Sequence, residues 1–184
     1  MDLIEKKPDK DVSYTLRCAH QKQAQLILLA DQKAQILSGL VLVVLTLLGT
    51  RLIYMNTDRF LVSIEPVTAI LLLLFFSSEI VAITLGILVV MPSLPKSKNG
   101  NESIDAISNP LFFGAFADFE EDEYLEHVAE NIVCNETARR FLAKDIHQSG
   151  KVLSTKYRKL SYAYRYALIG FIFLVLTFLS LLIL

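Results

Sequence analysis

The chain has 184 residues, a hydrophobic fraction of 53% and a formal net charge of −1. Its mean hydropathy of +0.47 is high for a soluble globular protein. The apolar residues are concentrated in three blocks, which argues against a free soluble enzyme, a secreted disulfide scaffold and a disordered tail. The near balance of 18 basic and 19 acidic residues gives no global basic field, so we expect no nucleic acid polymer as a partner.

Three apolar blocks predict transmembrane helices at 34–55, 61–91 and 167–184. Each block has 18 or more mostly apolar residues, and about 20 are needed to cross a hydrocarbon core of about 30 Å. The remaining segments are a cytoplasmic N-terminal helix at 1–33 and a cytoplasmic helical sensor segment at 92–166. We therefore expect an all-α membrane protein, in which three transmembrane helices carry a cytoplasmic helical bundle built from helix extensions and the 92–166 segment.

The distribution of Lys and Arg predicts the orientation of these spans. Six basic residues precede the first block and ten lie between the second and the third, whereas only Arg51 and Arg59 flank the short connection between the first two. Cytoplasmic loops of membrane proteins carry the excess of basic residues. The sixteen-to-two ratio thus predicts a cytoplasmic N-terminus and a C-terminus at the far face of the membrane.

Two long helices are predicted to run into the membrane without interruption. No Pro or Gly occurs between Asp11 and Ile36, and apolar positions there recur every three, four or seven residues. Asn135 can cap a second long helix, in which only Gly150 and Gly170 interrupt good helix-forming residues up to the C-terminus.

A shorter helix is predicted before Asn135, with Asp118 and Glu121 forming a capping box at its start. Its predicted apolar face consists of Tyr124, Leu125, Val128, Ala129, Ile132 and Val133. Glu123 and His127 are four residues apart on this helix, and we expect them to make a surface contact.

No catalytic or metal-binding signature is present in the sequence. It contains no Walker A motif, no GxGxxG, no GxSxG and no HExxH, and Cys18 and Cys134 form no CxxC pair. We therefore expect a protein that is not an enzyme, with no catalytic residues, no metal and no cofactor.

Glu79 is the unusual residue of the predicted spans, because it lies near the middle of the second one. A carboxylate at that depth costs about 2.5–3.5 kcal/mol, so it should face other helices, a partner or water. Three helices offer little interior, which favours a homo-oligomer; pore lining and structural glue both remain open as its role. Ser38, Gly39, Thr46 and Gly49 are predicted to allow close packing along the first span.

Cations and aromatic residues are the cytoplasmic groups best suited to a ligand. Lys156, Tyr157 and Arg158 lie near the third span, and Phe112 and Phe113 belong to an aromatic turn-like segment. Together they could combine charge for a phosphate with stacking for a base. Buried aromatic rings and cations that extend along the bundle surface would explain the same pattern, so both interpretations stay open.

Three stretches together resemble a known family. They are Ala30–Leu37 before the first span, Asn109–Phe116 followed by Tyr124-Leu125, and Lys156–Leu160 followed by Ala163-Tyr164. In this order and spacing, over roughly residues 25–184, they resemble the transmembrane effectors of bacterial pyrimidine-cyclase antiphage systems (the Pycsar membrane effectors, PycTM).

This resemblance implies a stand-alone effector in the bacterial inner membrane, with a periplasmic C-terminus. A neighbouring cyclase would make cCMP or cUMP upon phage infection, and the effector would bind it and impair the membrane, causing abortive infection. The matching motifs and the charges together make these the candidate ligand-binding residues: Asp31, Lys33, Asn109, Phe112, Phe113, Lys156, Tyr157 and Arg158. A passive membrane anchor or scaffold, and a holin-like small channel that needs no ligand, are the alternatives.

Overall fold

A computed structural model describes residues 10–54, 65–92, 120–131 and 135–183. These residues form four α-helices, α1 (Lys10–Tyr54), α2 (Pro66–Val90), α3 (Glu121–Asn131) and α4 (Asn135–Ile183), and no strand occurs among them. The expected all-α class is confirmed. By length and composition, α1, α2 and α4 are able to cross a membrane.

The two long helices form without interruption. The first, α1, has 45 residues, and α4 has 49 residues and continues through both Gly150 and Gly170. The second helix, α2, starts with Pro66 in its first turn, where a missing backbone N–H has no cost. It ends where the N–H of Met91 donates to the carbonyl of Ile87 at 2.8 Å, directly before Pro92.

The chain divides into two compact units. Unit 1 comprises Met1–Ile27 and Pro92–Ser154, and unit 2 comprises Leu28–Met91 and Thr155–Leu184. Unit 2 therefore contains the three predicted spans and also residues 28–33 of α1 and 155–166 of α4. All five described candidate ligand-binding residues lie in these extensions.

Small side chains form the core of unit 2. One cluster contains Ala30, Ala34, Val89 and Leu160, and a second contains Leu37, Val41 and Ala163. The three alanines are completely buried. Because an alanine methyl group projects so little, α1 and α4 approach each other closely at these positions, as transmembrane helices commonly do.

The expectation for the small residues of the first span is only partly confirmed. Ser38 lies against Gly86 of α2, where an added Cβ would collide with its hydroxyl. A methyl group added at Gly39 or Gly49, in contrast, would meet no heavy atom within 4 Å, so neither glycine makes a close helix contact among the described residues. Leu37 and Val41 lie on the buried face of α1. Gly39 is two residues from each of them and therefore points to the opposite side of the helix.

The predicted faces of α3 are also partly wrong. Leu125 is 54% exposed, whereas His127 is buried with 7% exposure, so its imidazole is not the surface group that the sequence pattern indicated. Tyr124, His127 and Val128 share the less exposed side, at the i, i+3 and i+4 positions of one helical face. The capping residue Asp118 lies outside the described residues.

Candidate functional site

Lys156 links all three helices of unit 2. Its ammonium group donates to Oδ1 of Asp31 on α1 at 2.5 Å and to the carbonyl of Val89 on α2 at 2.7 Å. Both charged side chains are largely buried, with exposures of 14% for Lys156 and 25% for Asp31. Two of the sequence-predicted ligand residues are thus brought together, but as partners of each other.

The position of Lys156 follows from the end of α2. The last four carbonyls of a helix have no partner within the helix and carry partial negative charge. Val89 supplies one of these carbonyls, and Lys159 approaches the neighbouring one of Leu88 at 3.4 Å. Two ammonium groups from α4 therefore stabilise the C-terminus of α2, a structural role that the sequence pattern alone does not reveal.

A groove of about 580 Å³ lies between α1 and α4 in unit 2. We call it the α1–α4 groove; it is lined by Lys33, Tyr157, Leu160, Ser161, Tyr164, Arg165 and Leu168. Its volume is in the range of small-molecule sites. The hydroxyl of Tyr164 donates to the carbonyl of Lys33 at 3.5 Å, across the groove from one helix to the other.

The remaining predicted ligand residues separate into different places. Lys33 and Tyr157 line the α1–α4 groove, as expected for residues that act together. Arg158 is exposed and lines neither this groove nor the cavity of unit 1 described next. Asn109, Phe112 and Phe113 lie outside the described residues.

Unit 1 contains a cavity of about 420 Å³ that the sequence interpretation missed. Its lining residues are Gln23, Ala143, Ile146, His147, Gly150, Lys151 and Ser154. Oε1 of Gln23 is buried and accepts no hydrogen bond from any described residue. Its Nε2 lies 3.4 Å from the position of a Cβ on Gly150, an ordinary van der Waals distance, so the amide packs against this residue. The polar residue Gln23, at a position of the otherwise apolar stripe of α1, was the sequence signal for this cavity.

Two polar contacts join α1 and α4 elsewhere in unit 1. Nε2 of His20 and Oδ2 of Asp145 are 2.6 Å apart, and Nε of Arg139 donates to Oγ of Ser13 at 2.7 Å. Asp145 is buried, with 9% exposure. These pairs help to set the register of the two helices near the cavity, and among the described residues both buried apolar clusters lie in unit 2.

Glu79 lies inside unit 2, with 5% exposure. Its carboxyl group packs against Gly170 of α4 so closely that an added Cβ at this glycine would collide with Oε1. Oε2 has no hydrogen-bond partner among the described residues. The expectation that three helices offer too little interior for Glu79 is wrong. Gly170 has no side chain, and this makes room for the carboxyl group within a single chain.

Two further polar contacts join α2 and α4. The hydroxyl of Ser78 donates to the carbonyl of Tyr166 at 2.7 Å, and the hydroxyls of Thr68 and Ser180 share a hydrogen bond of 2.9 Å. Thr68 and Ser78 both precede Glu79 in α2, and neither contact satisfies the carboxyl group itself.

The chain matches the model of a known protein family. The family model of the Pycsar effector protein domain (PycTM) matches residues 15–184. The chain therefore belongs to this family, as its motifs indicated, and its role is that of an antiphage defence effector, downstream of the cyclase. No curated protein and no solved structure matches it.

Proposed function

We propose that this Pycsar effector is activated by a cyclic pyrimidine mononucleotide, cCMP or cUMP, and then impairs the integrity of the bacterial inner membrane. Family membership supports the ligand class, and three helices able to cross a membrane support the target. The proposed orientation places both long cytoplasmic helix extensions where a soluble nucleotide reaches them.

The cavity of unit 1 carries this proposal. A cyclic mononucleotide presents a phosphodiester monoanion and the polar edge of a base. Lys151 and His147 provide positive or proton-donating groups for the phosphate, and Ser154 adds a hydroxyl. The unused Oε1 of Gln23 can accept from the amino group of cytosine or the imide N–H of uracil.

The cavity is lined by the two helices that continue into the predicted spans. Gln23 belongs to α1 and the other lining residues belong to α4, and each helix runs on without a break. A ligand that changes the spacing of α1 and α4 therefore acts on two spans directly. To shift a conformational equilibrium from 1:99 to 99:1, it must prefer the active state by about 5.5 kcal/mol, which binding to several copies of a homo-oligomer would supply.

Calorimetry on the detergent-solubilised chain tests the proposal, with cCMP, cUMP, cAMP and cGMP as ligands. We expect one of the pyrimidine nucleotides to bind most tightly and Gln23→Leu to raise its Kd about fivefold, because a hydrogen bond between neutral groups contributes about 1 kcal/mol. No binding of any nucleotide by the parent would contradict the proposal and favour a passive anchor or scaffold.

The same experiment locates the ligand. Lys151→Ala is expected to weaken binding, and Arg158→Ala, on the same helix but outside the cavity, serves as its matched control. The reverse result would place the phosphate at the membrane-side cations Lys156 and Arg158, as the sequence alone predicted. There it would have to displace Asp31 from Lys156.

Dye release from vesicles that contain the purified chain tests the membrane step. We expect release after addition of the binding nucleotide and none before it. Release without ligand would support the holin-like channel instead. Labelling of single cysteines from outside intact cells, with Asn56→Cys and Ser97→Cys in a cysteine-free background, tests the orientation; position 56 should react and position 97 should not.

A further inference from the structure

We propose that the α1–α4 groove binds the headgroup of an anionic phospholipid, such as phosphatidylglycerol. This inference concerns a different site from the nucleotide cavity of unit 1 and does not depend on it. Three observations support it: the groove lies at the predicted membrane boundary, its lining is basic and amphipathic, and the neighbouring lysines already contact other groups.

The groove lies at the predicted membrane boundary. Lys33 directly precedes the first predicted span, and Arg165 is two residues before the third. Leu168 already belongs to the third span and is 62% exposed. At 1.5 Å per residue, the step from Arg165 to Leu168 covers about 4.5 Å along α4. The groove therefore runs from a polar rim to a hydrocarbon-facing wall over a headgroup-sized distance.

The lining has the chemistry of an interfacial phosphate site. Lys33 and Arg165 are both basic, and none of the described residues that line the groove carries a carboxylate. Tyr157 and Tyr164 supply amphipathic rings of the kind enriched at membrane interfaces. Leu160 and Leu168 form apolar contact area for the start of an acyl chain, and Ser161 adds a hydroxyl donor.

Lys33 and Arg165 are the basic residues that line the groove, whereas the exposed Arg158 lies outside it. Lys156 is held by Asp31 and the carbonyl of Val89, and Lys159 approaches the carbonyl of Leu88. No described carboxylate forms an ion pair with Lys33 or Arg165. The Arg165 guanidinium lies 5.7 Å from the ring centroid of Tyr162, a contact that positions the group without neutralising its charge.

A phosphodiester monoanion is the shared chemistry of a phospholipid headgroup and a cyclic nucleotide. The apolar wall at Leu168 favours the lipid, because a nucleotide has no acyl chain to place against it and would leave this leucine beside its polar sugar. Anionic lipids also reach a membrane-level groove directly from the bilayer, whereas a nucleotide must enter from the cytoplasm.

Native mass spectrometry of the full chain in detergent, titrated with phosphatidylglycerol or phosphatidylcholine, tests the proposal. We expect saturable binding of phosphatidylglycerol and weak binding of phosphatidylcholine. Lys33→Ala/Arg165→Ala should weaken phosphatidylglycerol binding about thirtyfold, since each basic residue near an anionic headgroup contributes about a fivefold factor. Lys22→Ala/Arg140→Ala removes the same charge from exposed positions outside the groove and should leave binding unchanged.

A second variant tests whether lipid binding is lost because the groove is blocked rather than because the double alanine variant misfolds. Ser161→Trp fills the groove from an exposed position and keeps both cations, so it should also exclude phosphatidylglycerol while circular dichroism shows unchanged helical content. Retention of phosphatidylglycerol by this variant would overturn the proposal. Equal binding of the two lipids, or equal losses in the two double variants, would overturn it as well.

A competition arm separates the two sources of the phosphodiester. Inorganic phosphate, cCMP and cUMP are added to the parent chain loaded with phosphatidylglycerol. We expect the lipid to remain bound at nucleotide concentrations that saturate the calorimetric site. Displacement of the lipid by cCMP or cUMP would show that the groove takes the free nucleotide, and the lipid assignment would then be wrong.

Discussion

Units 1 and 2 use the same two helices in different ways. In unit 1, α1 and α4 are joined by polar side chains, with His20 on Asp145 and Arg139 on Ser13 beside the cavity. In unit 2 they pack through completely buried alanines, Ala30, Ala34 and Ala163. When two helices joined by polar side chains move apart, water can take over the hydrogen bonds. Helices that are close-packed through methyl groups cannot shift without losing packing contacts. We therefore expect any ligand-dependent change in the spacing of α1 and α4 to be easier in unit 1 than in unit 2.

Overpacking of unit 2 should produce the largest effect. Gly170→Leu places a side chain where the carboxyl group of Glu79 lies, so we expect the free energy of unfolding to fall by about 3 kcal/mol. Unfolding of the detergent-solubilised chain by SDS measures it. Gly39→Leu is the matched control, because its new side chain meets open space; equal losses in both variants would show that the glycine contact is unimportant.

Removal of the ammonium group at the helix junction should have the next largest effect. Lys156→Ala leaves the largely buried Asp31 carboxylate and the Val89 carbonyl without their donor, at a cost of about 2 kcal/mol after allowance for partial exposure. A double-mutant cycle with Asp31→Asn measures the coupling of the pair. A coupling energy near zero would mean that this contact does not hold the three helices together.

Replacement of the unpaired carboxyl group should stabilise the chain. Glu79→Leu removes a buried group without a hydrogen-bond partner for Oε2, so we expect the free energy of unfolding to rise by about 1–2 kcal/mol, while dye release upon ligand addition is lost. Glu79→Gln should preserve assembly and alter only the leak. If both variants release dye as the parent does, Glu79 has no part in the membrane step.

A change to the polar contacts of unit 1 should have the smallest effect. His20→Ala removes one hydrogen-bonded pair from a partly exposed position, which should cost about 1 kcal/mol. His147→Ala is the control, because this side chain is exposed. A loss from His20→Ala larger than that from Lys156→Ala would reverse the comparison between the units.

The helices themselves were predictable from the sequence. The absence of Pro and Gly between Asp11 and Ile36, and the capping residue Asn135, anticipate α1 and α4 nearly to their ends. The reason is local: helix formation depends on neighbours three and four residues away, and three apolar blocks of the required length mark the membrane-crossing parts. The family was predictable too, because the three stretches that resemble it are each contiguous in the sequence.

The partners of individual side chains were decided only by the tertiary structure. The sequence shows that Lys156 is basic and that Glu79 is acidic. It does not show that Lys156 contacts Asp31 and Val89, or that Glu79 packs against Gly170. These contacts depend on how each helix is rotated and how far it is shifted along its neighbours. Small residues such as Gly86 and Gly170 determine that rotation and shift, because two helices can approach most closely there. The residues that pack against these glycines lie on other helices, far away in the chain.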